Sequence, residues 1–180
     1  MTPIEQLESV NMQVQENFSS LSDSQLNWKS EPAKWSIGQC LDHLIVANKT
    51  YFPSFEKLIY HRYSLSFFQK LNPFKKIWGP LMVKYLGPQP TKKFKSPKIF
   101  EPSASHVAFT IVDDFLRHQE ELKSYFQKLS RLDTKNIVLA SPSIGLVTYT
   151  IADCMQLIAA HEQRHTNQAN NVLNHPNFPR

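Results

Sequence analysis

The chain has 180 residues, 41% of them hydrophobic, and a formal charge of +5. That length suits one domain with an adequate core, and that apolar content excludes a disordered chain. No apolar run reaches the roughly 18 residues a membrane span needs. The opening residues have neither the basic nor the apolar region of a secretory leader, and the charge is too dilute for a dense nucleic-acid-binding face.

In chain order, the pattern predicts an all-α protein of four long helices, about 3–20, 37–60, 105–132 and 151–174, making a single domain over 1–180. The first helix opens on a capping box, with Thr2 as N-cap, Pro3 in the first turn and Glu5 at the third position. Ile4, Leu7, Met12, Val14 and Phe18 follow along it. Ser22 to Gln25 caps a short extra turn. The second helix starts at Ser36, with Gln39 completing another capping box, and Pro53 is expected to kink or divide it. Cys40 and Cys154 both fall in predicted helices and read as free thiols of a cytosolic protein.

Between Tyr60 and Ser103 the periodicity stops. This stretch carries Pro73, Pro80, Pro88, Pro90, Pro97 and Pro102, and its many lysines meet no acid before Glu101. A short helix over Phe74 to Tyr85 and an irregular remainder are expected, the whole reading as a solvated connection. The third helix then presents Val107, Ile111, Phe115, Leu122 and Phe126 on its inner side. Asp153 fills the acidic slot in the first turn of the fourth. The short runs Ile137 to Ala140 and Leu146 to Tyr149 are the only strand candidates, and neither is persuasive.

The chemistry lies in His161-Glu162-Gln163-Arg164-His165. Residues i and i+4 of a helix share a face, with Cβ atoms about 5–6 Å apart, so two imidazoles can reach one ion. On the second helix, Ser36, Gln39, Ala47, Thr50 and Ser54 lie within about 40° of His43 on a helical wheel. That stripe is small and polar, so it leaves room for a site rather than filling a core. If His43 faces His161 and His165, the three make a metal site with a position left open for water or substrate. Gln39 and Gln168 are then candidates for binding a ligand, and Glu162 and Arg164 for catalysis. His61, His106, His118 and His175 lack such company and read as surface or loop residues, although His118 lies on a core-facing helix. Trp28, Trp35 and Trp78 read as packing anchors.

Two other motifs fit less well. His161-Glu162-x-x-His165 has the form of the zinc-protease HExxH. A metzincin needs a histidine where this chain has Asn171, and no acid follows Glu162 to serve as another ligand. A di-iron bundle needs a second Glu-x-x-His, and Cys40 stands three residues before His43.

Trp35-Ser36-Ile37, His43-Leu44 and His161-Glu162-x-x-His165-x-x-Gln168 together resemble the DinB-like (YfiT-type) metalloenzyme superfamily. The proline-studded run Lys95 to Pro102 is similar to the connection before the third helix in one branch of it. The resemblance implies an up-down-down-up four-helix bundle with a long proline-rich connection between helices 2 and 3. It also implies one divalent metal, zinc or nickel, on His43, His161 and His165. Characterised relatives are S-transferases and isomerases dependent on low-molecular-weight thiols, so a thiol cosubstrate and a small-molecule substrate are expected. A metal-dependent hydrolase on the same site and a non-catalytic helical binding or stress-response module stay open beside that reading. The expected setting is cytoplasmic, with no nucleic-acid or membrane partner, and a homodimer is compatible with it.

Overall fold

A computed structural model describes residues 1–70, 75–87 and 98–180. Among these residues the protein is mostly helical with one small sheet. Its helices are α1 (Pro3–Phe18), α2 (Asp23–Leu26), α3 (Ile37–Lys49), α4 (Phe52–Ile59), α5 (Phe67–Lys70), α6 (Lys75–Leu86), α7 (Ile111–Leu129) and α8 (Ile151–Leu173). Strands β1 (Val138–Ala140) and β2 (Thr148–Thr150) lie between α7 and α8. None of the described helices is long and apolar enough to cross a membrane.

Local chemistry explains most helix starts. Thr2, Ser22 and Ser36 each close a capping box, with Glu5, Gln25 and Gln39 returning the bond to the N-cap backbone. Thr150 caps α8 by accepting from the Asp153 N–H at 3.0 Å. The expected division near Pro53 falls at Thr50 and Tyr51, leaving the proline in the first turn of α4, where its missing N–H costs nothing.

The helix expected from residue 105 starts at Ile111 instead. Side chains from elsewhere occupy the backbone groups a helix would have used. Asn27 clamps Val107 from both sides, accepting from its N–H at 2.9 Å and donating to its carbonyl at 3.1 Å. Gln39 donates to the Ala104 carbonyl at 3.1 Å. The short helix expected from Phe74 is α6, and Phe74 itself lies outside the described residues, as do 88–97 of the connection expected to be irregular.

A second departure is the hairpin. Leu139 pairs with Tyr149 in an antiparallel register, and both side chains are fully buried. Three-residue strands are too short for alternation to register in sequence. Because β2 runs directly into α8, the hairpin fixes where that helix begins.

Helix α8 packs against α1, α3 and α6, and α7 against α1, α3 and α4. One part of the core gathers Leu7, Phe55, Leu122, Phe126, Tyr149 and Leu157. Another gathers Val10, Phe18, Leu41, Leu44, Phe115 and Ala169. Full burial of such side chains stabilises by about 1.5–3 kcal/mol each before entropy is charged against it. The α3–α8 contact is the one that carries polar chemistry.

Candidate metal centre

Helix α3 supplies His43, and α8 supplies His161 and His165 one turn apart. One ring nitrogen from each lies within 4.8 Å of the others. The Nε2 atoms of His43 and His161 are 3.3 Å apart. Two nitrogens bound to one ion at 2.0–2.1 Å stand about 2.8–3.4 Å apart, the lower end octahedral and the upper end tetrahedral, so the His43–His161 spacing fits a tetrahedral ion. His43 and His165 are buried, whereas His161 keeps part of its surface open to solvent. The cluster therefore has an inner wall and an accessible side.

The proton positions also fit. His43 Nδ1 donates to the carbonyl of Phe100, which closes a 3-10 turn over Lys98–Phe100. That bond fixes the tautomer and leaves the Nε2 lone pair facing the other rings. His165 Nδ1 is buried and has no hydrogen-bond partner among the described residues. Desolvation lowers the pKa of all three rings, reinforced by Arg164 and, for His161 and His165, by neighbouring imidazoles. His161 is pushed down to about 3. Three neutral nitrogen donors converging in a desolvated corner form a set that could bind a divalent cation.

The indole of Trp35 lies against this cluster, with ring centroids 4.7 Å from His43 and 5.7 Å from His165. The sequence suggested only a packing anchor. Trp35 sits just before the α3 N-cap, off the helical wheel, so periodicity gave it no link to His43. The Phe100 carbonyl escaped for another reason: a backbone group has no residue signature.

The remaining candidates occupy different surroundings. Gln39 is spent on the Ser36 cap and the Ala104 carbonyl. Gln168 lies near His165 and opposes the lowering of its pKa. Arg164 is half-buried, acts on all three histidines, and has no ion pair among the described residues. Glu162 is fully buried and accepts from Asn48 Nδ2 at 2.6 Å.

The same Asn48 amide lies 3.3 Å from Nε2 of His118, which is 4% exposed and stacked on Phe52. His118 is thus a core residue, contrary to the surface reading. Burial was invisible in its lack of histidine neighbours, although its place on the core-facing helix hinted at it. Desolvation pushes Glu162 up to about 7, opposed by Asn48 and Gln119, and His118 down to about 4. The Glu162 carboxyl is thus held inside the core and has no solvent-facing surface on which to meet a ligand.

Fold and site together define a helical protein whose α3 and α8 bring three neutral histidines to one point. A family model of the DinB superfamily matches residues 6–169, and the chain belongs to that superfamily. No curated protein and no solved structure matches it.

Proposed function

We propose that the protein is a metal-dependent enzyme of the DinB superfamily that transfers a low-molecular-weight thiol to a small electrophilic substrate. The observation that carries this reading is the convergence of His43, His161 and His165, with ligand nitrogens within 4.8 Å of one another. In this reading the domain is one up-down-down-up bundle spanning the chain, located in the cytoplasm, and the three imidazoles hold one zinc or nickel ion. Bound there, a divalent cation supplies acidity, lowering the pKa of a thiol, or of water in a hydrolase, that reaches its open position.

The chain's own residues do the rest. The Phe100 carbonyl keeps the His43 proton on Nδ1, leaving Nε2 free to ligate. Trp35 packs against the His43 and His165 rings and restrains their planes. Arg164 offers a planar cation beside the cluster, with no ion pair among the described residues, suited to a carboxylate of an anionic thiol cosubstrate. Gln168, beside His165, orients a bound ligand. We assign Glu162 to the core network with Asn48, not to proton transfer at the open side.

The test is metal content and turnover together. Tag-free protein is expected to retain about one equivalent of zinc or nickel, His161→Ala to lose it, and only the loaded protein to conjugate monochlorobimane with a small thiol. Stoichiometric metal without conjugation by any thiol shifts the reading to the hydrolase. Equal, substoichiometric metal in both proteins supports a non-catalytic module.

A further inference from the structure

Three side chains on one face of α3 hold the same short stretch of backbone. His43 Nδ1 donates to the Phe100 carbonyl, the Ser103 N–H donates to the Asp42 carboxylate, and Gln39 Nε2 donates to the Ala104 carbonyl at 3.1 Å. Positions 39, 42 and 43 are spaced i, i+3 and i+4, so they project side by side. The strap begins in a 3-10 turn over Lys98–Phe100, continued by Glu101 N–H to the Lys98 carbonyl at 3.2 Å. Its far end is held by Asn27 at Val107.

These bonds differ in kind. Asp42 is half-buried and makes no ion pair among the described residues, so its bond to Ser103 is a charge-assisted one to backbone. The bond from His43 decides which imidazole nitrogen carries the proton. Trp35 packs against the ring and restrains its plane, but an aromatic face cannot choose between the two nitrogens. The Phe100 carbonyl can only accept and so selects Nδ1–H, whereas the contact between Nε2 of His43 and Nε2 of His161, 3.3 Å apart, fits either donor. The carbonyl's place depends on a stretch of chain with no regular structure beyond one turn.

We infer that Asp42 is a positioning residue for His43. It acts through the Ser103 backbone to hold the Phe100 carbonyl against Nδ1, and so presents Nε2 to the ion. Gln39 is the second clasp on the same strap. This inference rests on the three-histidine reading for its consequence, but its first step concerns the metal-free protein alone.

The experiment compares wild type, Asp42→Ala and Asp42→Asn. Long-range ¹H–¹⁵N spectra at pH 7.5 report the tautomer of His43 without metal, and chelator competition reports zinc affinity. Melting in EDTA reports the bundle. In wild type, His43 is expected almost wholly in the Nδ1–H form. Asp42→Ala is expected to mix the tautomers and weaken zinc by about 10-fold or more, the usual range for lost outer partners of a ligating histidine. Asp42→Asn keeps an acceptor oxygen and is expected to recover most of both. A stable Asp42→Ala protein with an unchanged tautomer and zinc affinity within twofold of wild type overturns the inference. If that variant melts too early to compare, Asp42→Asn decides alone: a full retention of tautomer with a 10-fold loss of zinc affinity contradicts positioning through the strap. A wild type that holds the Nδ1–H tautomer, loses it in Asp42→Ala, and binds no zinc defeats the metal reading and leaves the positioning role in place.

Discussion

Three imidazoles already neutral before an ion arrives set the pH behaviour of the site. Desolvation lowers His43, His161 and His165, the second to about 3. Zinc binding at pH 6 is therefore expected to release less than about one proton per chain, where three ordinary imidazoles would release about two. Titration calorimetry in buffers of different ionisation enthalpy measures the difference. The sign for folding follows from the same shifts. As pH falls below the unfolded value of 6.5, the unfolded chain takes protons the folded rings refuse, so the metal-free protein loses stability on that side.

Glu162 behaves oppositely. Its folded pKa is raised from 4.5 to about 7, so the folded chain holds a proton the unfolded chain has given up, and its contribution fades as pH rises across that window. Glu162→Gln keeps an acceptor for Asn48 and removes the titration. Relative to that variant, wild type is expected to lose on the order of 2 kcal/mol between pH 5 and 8 in urea unfolding. Parallel curves would show that the carboxyl is ionised throughout.

Among the elements, α3 carries the most. Ser36 begins it, Gly38 lets it approach its neighbours, and His43 faces α8. A Cβ at Gly38 would stand 2.3 Å from Val107 Cγ2 and 3.2 Å from the Leu26 carbonyl oxygen. Gly38→Ala is therefore expected to destabilise despite the gain of about 1 kcal/mol in helix propensity, because the 107 segment and α2 must both move. An increase in urea midpoint would contradict this close approach. At the head of α8, Thr150→Ala removes a cap and is expected to cost about 1 kcal/mol in urea unfolding, within the usual 0.5–2. The capping boxes of α1 and α3 could be read from the sequence because the interacting residues are three apart. The start of α7 could not, because Asn27 holds Val107 across 80 positions. The hairpin strands were too short to leave a period.

For the whole molecule, the i, i+4 pair on α8 and the polar stripe around His43 were visible because helical geometry alone relates them. Their meeting is a tertiary fact, produced by the packing of α3 on α8. What surrounds the cluster was hidden: Trp35 lies outside the helix, Phe100 contributes a carbonyl, and Glu162 turns into the core toward Asn48 and His118. The adjacency of Glu162 to His161 in sequence suggested chemistry, while the helix carries the two side chains to different surroundings.

X-ray absorption at the metal edge tests the central claim most directly. Protein loaded with one equivalent of zinc is expected to show about three imidazole nitrogens at 2.0–2.1 Å, falling to two in both His43→Ala and His161→Ala. A spectrum with no imidazole scattering, or one that neither substitution changes, would contradict a shared ion between α3 and α8.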